Sequence, residues 1–400
     1  MNRFWTFRYT LLNMTYFVAF CTIHALAAVY LLANGFTNTQ VGILLAVANI
    51  LSAVLQPIIA GIIDKPGALT NRHFILISVI IILVGSLILM VSEKNRPVIF
   101  IVYVIIYMIQ FTYQPVMTAL CFEYQKHGCS IFYGLARGLG SASFAVTSFF
   151  IGGIVEANGV NILLIVNVVT MVLSAIIIYT FKLPSGAVAA SAEVSSDTDS
   201  GEEKPHNNLI SFARAYPVFI WFLIGTICFF FAHNMINDFM IQIIKFLGGG
   251  ETELGYANFL QAILELPVMA LIGILLKKIT SNNLLIISGF AFFIKILILV
   301  FATNIAMMFI SQSFQLFAYA IFIPASAYYV NSHMSEYDQV KGQAFVTSAI
   351  TIGGVFSNMI SGVILDHWGI RPMLITGTVV CGIGAVIVLF AMMRSLLSHP

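Results

Sequence analysis

The sequence predicts an all-α integral membrane protein: twelve transmembrane helices in two pseudo-symmetric six-helix bundles, with both termini cytoplasmic. Three observations point there, namely the composition, the number of long apolar stretches and an internal repeat. Of the 400 residues, 60% are hydrophobic and only 8% charged, with a mean hydropathy of +0.98. A soluble domain carries about 25% charged residues. The net charge of +2 arises from 18 basic and 16 acidic residues dispersed along the chain, which leaves no basic face for nucleic acid and excludes that partner. Cys21, Cys121, Cys129, Cys228 and Cys381 lie mostly in apolar segments without paired spacing. They read as packing residues, not as a disulfide framework or a metal site.

A helix crosses about 30 Å of hydrocarbon with roughly 20 apolar residues. Such stretches fall near 9–33, 38–63, 73–91, 98–121, 131–154, 161–181, 217–246, 252–276, 284–302, 305–330, 342–365 and 372–393. Arg3, Arg8 and the "ALA" at 25–27 imitate a cleavable signal peptide, but a second apolar span follows after a short turn. The first is therefore expected to remain as an uncleaved helix. With the N-terminus inside, Arg3, Arg8, Lys65, Arg72, Lys126, Lys182, Lys204, Arg214, Lys277, Lys278, Lys341 and Arg394 are cytoplasmic, against Lys94, Arg96, Lys245 and Arg371 outside. That asymmetry is the positive-inside bias. Trp5, Trp221 and Trp368 lie near span ends, as interfacial anchors do.

The stretch "LPSGAVAASAEVSSDTDSGEEKPHNN", 183–208, is small, polar and acidic, and reads as a disordered cytoplasmic linker. It divides the chain into an N-terminal bundle over 1–182, a linker over 183–216 and a C-terminal bundle over 217–400. The halves repeat at a near-constant offset. "TQVG" at 39–42 recurs as "TELG" at 252–255, Pro115 as Pro324, and "GIVEANG" at 153–159 as "VILDHWG" at 363–369, at offsets of 213, 209 and 210. A duplicated six-span unit implies a substrate site near the midplane, between bundles that rock against each other.

Ionisable groups inside spans mark function by default, because a charge in hydrocarbon needs a cavity, a partner or a proton. Glu265 and Lys295 are the leading pair. Glu265 lies twelve residues from Glu253 at the outer end of span 8, about 18 Å, and Lys295 eight residues below Thr303, about 12 Å down span 9. The difference, roughly 6 Å, is within a lysine's reach. The alternative is a snorkelling Lys295 and a Glu265 that satisfies the kink at Pro267. Arg137 in span 5 is either a helix-end charge or a substrate contact. In span 7, "AHNMINDFM" sets His233 with Asn237 and Asn234 with Asp238 four apart, on shared helix faces. His233 and Asp238 are proton-coupling candidates alongside Glu265, or members of a polar kink. Tyr103, Tyr107, Gln110 and Gln114 form one face of span 4, echoed by Gln312, Gln315 and Tyr319 in span 10. Such faces turn away from lipid and suit a neutral polyhydroxylated solute, or else glue helices together. Asp64 with Lys65 and Arg72 reads as a conformational latch, while Glu156 and Asp366 with Arg371 read as helix-terminating loop charges. No nucleophile elbow, zinc spacing or Walker-type loop is present, so neither an enzyme nor an ATP-driven pump is expected.

"QPIIAGIIDKPGALTNR", 56–72, resembles the signature between spans 2 and 3 of the major facilitator superfamily, with Gly61, Asp64, Lys65 and Arg72 on its glycine, acidic and basic positions. "YGLARGLGSASFA", 133–145, looks like the fifth span of the lactose permease branch of oligosaccharide/proton symporters, and "ILELP" with the lysine of "FFIKIL" is similar to that branch's span 8 acid and span 9 base. The resemblance implies substrate contacts at Glu265, Lys295, Arg137 and Phe144, to which the polar stripes of spans 4 and 10 add Tyr107, Gln110, Gln114, Gln315 and Tyr319. The sequence departs from the branch at Gln315 and Ala318, where span 10 there carries a histidine and a glutamate. It departs again at Thr118, where span 4 there carries a glutamate, and at Phe144, where a tryptophan stacks on the sugar. The expectation is a monomeric, multi-pass importer in a cell membrane, of bacterial plasma-membrane type. It would carry a sugar or oligosaccharide with protons, without cofactor or metal, its other partner being membrane lipid. A nucleoside importer, a drug or metabolite exporter, an uncoupled facilitator and a solute sensor are the alternatives.

Overall fold

Short polar breaks between long apolar runs leave each run one way to satisfy its backbone in lipid, which is to coil. In the computed structural model, which describes residues 3–63, 69–92, 94–183 and 209–398, every regular element is helical. Asp64, Lys65 and linker residues 184–208 lie outside the described residues, as do the side chains at 3, 209, 210, 269, 270, 336, 337 and 398.

The first half comprises α1 (Arg3–Phe20), a π turn (Cys21–Ala25), α2 (Ala27–Ala33), α3 (Asn38–Ile63), α4 (Asn71–Val91), α5 (Arg96–Lys126), α6 (Tyr133–Asn158) and α7 (Asn161–Thr180). The second comprises α8 (Leu209–Ala215), α9 (Pro217–Asp238), α10 (Met240–Phe246), α11 (Glu251–Leu275), α12 (Ser281–Val300), α13 (Ile305–Ser313), a 3₁₀ turn (Phe314–Leu316), α14 (Tyr319–His333), α15 (Glu336–Trp368) and α16 (Ile370–Ser398). Among the described residues, ten helices are long and apolar enough to span a membrane, and the first span makes an eleventh as a pair bent by 49°. The remaining expected span is α11, 25 residues long and carrying Glu251, Glu253 and Glu265. The chain is a multi-pass membrane protein.

Sequence signals set the ends. Thr70, Asn95, Thr280 and Asn304 accept from backbone N–H groups of α4, α5, α12 and α13, as N-caps do. Gly159 and Gly369, matched positions of the repeat, end α6 and α15 at φ of +80° and +83°, a conformation that favours glycine. Pro115 and Pro324, also matched, both lie inside helices, α5 and α14.

The chain divides into two units, residues 1–36 with 47–198, and 37–46 with 199–400. In the first, α1 packs on α6 and α7, and α4 on α5 and α7; in the second, α9 packs on α15 and α16, and α12 on α16 and α14. Spans 1·5, 1·6, 3·6 and 3·4 of one half thus have counterparts in 7·11, 7·12, 9·12 and 9·10 of the other. The duplication read in three matched segments extends to the packing.

Buried polar groups tie each unit internally. In the first, the Ser86 hydroxyl donates to Asn167 Oδ1 at 2.9 Å and Asn167 Nδ2 donates to Thr22 Oγ1 at 3.2 Å, joining α4, α7 and the π turn. Tyr103 donates to the Ile23 carbonyl at 2.6 Å, so this member of the span 4 stripe holds helices together. Tyr103→Phe is expected to cost about 1–3 kcal/mol by stranding that carbonyl, read as a lowered unfolding temperature in detergent.

Residues 37–46, expected in the first bundle, group with the second unit. Asp366 accepts from the backbone N–H of Asn38 at 3.1 Å, from that of Thr39 at 2.7 Å and from Asn38 Nδ2 at 2.9 Å. It therefore caps the N-terminus of α3, whose first N–H groups have no helical partner, and does not pair with Arg371. The Arg371 guanidinium instead lies 5.7 Å from the Phe246 ring centre. Arg72, expected in a latch, donates to the carbonyls of Ile178 at 3.0 Å and Tyr179 at 2.7 Å, where a cation meets the negative end of α7.

Candidate functional site

Each unit holds a polar cluster. That of the second is centred on Lys295, which α12 presents with 0% of its surface exposed, so it does not snorkel. Its Nζ donates to Gln315 Oε1 at 2.7 Å, and Gln315 Nε2 donates to Glu265 Oε1 at 3.0 Å. The expected Lys295–Glu265 pair is thus bridged. The amide of Gln315 fills the gap because span 10 breaks into a 3₁₀ turn over Phe314–Leu316 and restarts at Tyr319, which swings Gln315 between α11 and α12. An amide fits a lysine on one side and a carboxylate on the other, since it accepts with its oxygen and donates with its nitrogen. One turn away Gln261 Nε2 donates to Gln312 Oε1 at 2.9 Å. Gln261 was not singled out from the sequence, although its place four residues before Glu265 sets both on one face of α11.

Span 7 contributes the neighbouring wall. The ring nitrogen Nε2 of His233 meets Asn237 Nδ2 at 2.9 Å, as their four-residue spacing predicts, and the imidazole stacks on Tyr319 with centroids 5.1 Å apart and planes 15° apart. Lys295 lies within electrostatic range of His233. Asp238 closes α9, where the span breaks before α10, and its carboxylate faces Asn358 of α15. Lys295, Gln315 and Glu265 form one hydrogen-bonded chain, with the Gln261–Gln312 pair beside it; Asp238 stands apart from both, at the break.

The cluster of the first unit follows one face of α6. Arg137 donates from Nη1 to Ser141 Oγ at 3.0 Å and sits 4.3 Å from the Phe17 ring centre. No carboxylate among the described residues pairs with it; Glu123, the nearest acid expected from the sequence, accepts instead from Asn71 Nδ2 at 2.7 Å. Phe144, two turns on from Arg137, lies 6.2 Å from Phe20. Tyr107 and Gln110 of α5 are buried and Gln114 is half-buried, so the stripe keeps its expected face while its outer member, Tyr103, serves packing. His24 of the π turn lies against Tyr107, with centroids 3.8 Å apart. Nothing in the sequence signals it, because a lone histidine in an apolar run reads as core and a π turn has no sequence signature.

These clusters carry a buried lysine bridged to a half-buried carboxylate, amides and aromatic faces, which suits orienting a polar solute more than bond-making chemistry. Among solved structures, the chain is similar to the nucleoside transporter NupG in a mutant form, with a TM-score of 0.76 at 15% identity over 98% of this chain and 99% of that one. It is also similar to an auto-inhibited POT family peptide transporter, with a TM-score of 0.74 at 11% identity, covering 98% and 96%. A bacterial homologue of the human lysosomal transporter Spinster, inward-facing and unoccupied, gives 0.66 at 14% identity, covering 99% and 97%. At such identities the likeness establishes the fold, that of major facilitator transporters. A search of curated proteins finds no significant match. The profile of the MFS_1-like family matches residues 9–376, nearly the whole chain and both clusters, and the protein is therefore a member of that family.

Proposed function

We propose that the protein is a secondary transporter of a cell membrane that imports a neutral, hydroxyl-bearing solute, a nucleoside, together with protons by alternating access. The observation that carries this reading is the buried Lys295–Gln315–Glu265 chain at the break in span 10. A buried lysine charge balanced through an amide bridge is a weak source of stability alone, but it is a compact way to couple a proton to a solute. A solute hydroxyl that displaces Gln315 from Glu265, or a proton taken up there, changes the charge balance around Lys295. Within the second unit, amides at Gln261 and Gln312 and aromatic faces at Tyr319 and His233 suit a ring that stacks and a ribose that hydrogen-bonds. The similarity to a nucleoside transporter fold agrees. Asp238 and His233 are the further proton-carrying candidates, and in the first unit Arg137, Gln114 and Phe144 are candidate solute contacts.

A sugar or oligosaccharide is the second reading, favoured by the span 5 and span 8 motifs. Uptake of labelled nucleosides and sugars into proteoliposomes, with and without an inward proton gradient, separates the two. The expected result is nucleoside accumulation that the gradient raises several-fold. Sugar accumulation alone selects the second reading, and uptake indifferent to the gradient leaves a facilitator.

A further inference from the structure

His24 sits in the π turn Cys21–Ala25, a distortion that gives up regular helical bonding and recurs at functional sites. Its imidazole stacks on Phe20, with centroids 4.2 Å apart and planes 9° apart, and meets Phe111 edge-on at 4.4 Å. With Tyr107 at 3.8 Å, three rings fix the imidazole plane. Gln110, three residues along α5 from Tyr107, faces it and is 0% exposed. Both ring nitrogens of His24 and both polar atoms of the Gln110 amide are shut off from solvent, and apart from the approach of these two side chains to each other none has a hydrogen-bond partner. Native interiors hold few such atoms, because each gives up its water without recompense. Apolar side chains of similar shape would pack there without that penalty.

We infer that His24 and Gln110 form a hydrogen-bonding station for the neutral edge of the solute that offers both donor and acceptor, namely the imide edge of a pyrimidine base. This rests on the nucleoside reading above. A neutral imidazole has one donor and one acceptor, and a carboxamide has both, so together they complement a carbonyl, N–H, carbonyl sequence and offer no formal charge to a phosphate or carboxylate. The station is continuous with the Arg137 face: Phe20 lies 6.2 Å from Phe144 and 6.4 Å from Phe17, the ring under Arg137. A base held at His24 and Gln110 leaves its sugar toward Phe144 and Arg137.

The test compares uptake of uridine and of 3-methyluridine, whose N3 methyl removes the imide donor, by wild type, His24→Phe, Gln110→Leu and His24→Asn. Wild type is expected to show a KM for uridine about tenfold or more below that for 3-methyluridine, the size of one hydrogen bond lost to a buried partner. His24→Phe and Gln110→Leu are expected to raise the uridine KM until the two values meet, while His24→Asn, which keeps a donor and an acceptor, restores part of the gap. Equal loss for both solutes, or an unchanged KM ratio in His24→Phe and Gln110→Leu, overturns the station and returns the pair to packing. A wild type that takes up no nucleoside overturns the nucleoside reading itself, before any variant is compared.

Discussion

Glu265→Gln is expected to abolish solute accumulation against a gradient, and with it the response of uptake to an imposed proton gradient, while leaving the protein folded. The substitution keeps an oxygen that can accept from Gln315 Nε2, now 3.0 Å from Glu265 Oε1, so the shape of the chain survives. What it removes is the charge that balances Lys295, which has 0% of its surface exposed. Breaking a buried pair by removing one partner costs about 3–5 kcal/mol, most of it the penalty of the orphaned charge. The unfolding temperature in detergent should therefore fall clearly. Replacing both charges, Glu265→Gln with Lys295→Met, is expected to recover most of that stability, because it removes the orphaned buried charge that carries most of the cost. Transport should not recover with it. Stability regained without accumulation separates the coupling role from the packing role. Gln315→Leu is the companion case: it leaves both charges but cuts the bridge, and should lower both accumulation and stability. Undiminished accumulation by Glu265→Gln would remove Glu265 from the coupling mechanism.

The parts of this molecule legible from sequence are those set by periodicity and local chemistry. Apolar run length predicts the spans, i,i+4 spacing predicts the His233–Asn237 bond, and matched loops predict a packing pattern that recurs in both units. Glu265 and Lys295 stand out because a charge in hydrocarbon needs an explanation. Their mode of contact does not. Counting helical rise puts the two at similar depths, but only the break at Phe314–Leu316 brings Gln315 between them, and no residue type announces that turn. The same holds for His24, whose importance lies in three rings and an amide drawn from α1 and α5. Asp366 is the plainest case. It reads locally as a loop charge beside Arg371, and its partners are 328 and 327 residues away in sequence, at the start of α3.

Loss of the Asp366 cap is expected to free that start of α3. Three donors converge on one carboxylate, two of them backbone N–H groups that α3 cannot satisfy itself. Asp366→Ala leaves them without an acceptor, at about 1–3 kcal/mol, and hydrogen exchange over residues 37–46 should quicken while that of α12 stays unchanged. The helices also meet backbone to backbone here: a Cβ on Gly42 would lie 2.0 Å from the Asn358 carbonyl oxygen, and one on Gly362 2.4 Å from that of Asn38. A side chain at either position cannot be absorbed by rotating a neighbour, since the obstacle is main chain. Gly42→Leu must therefore separate α3 from α15 outright, with faster exchange over 37–46 and over the facing turns of α15, and a larger stability loss than Asp366→Ala. A carboxylate at this position is required for the cap rather than its bulk, so Asp366→Glu should exchange more slowly than Asp366→Ala. Identical exchange in wild type and Asp366→Ala would mean that Gly42 and Gly362 hold the segment alone, and that the three hydrogen bonds follow from the packing instead of securing it.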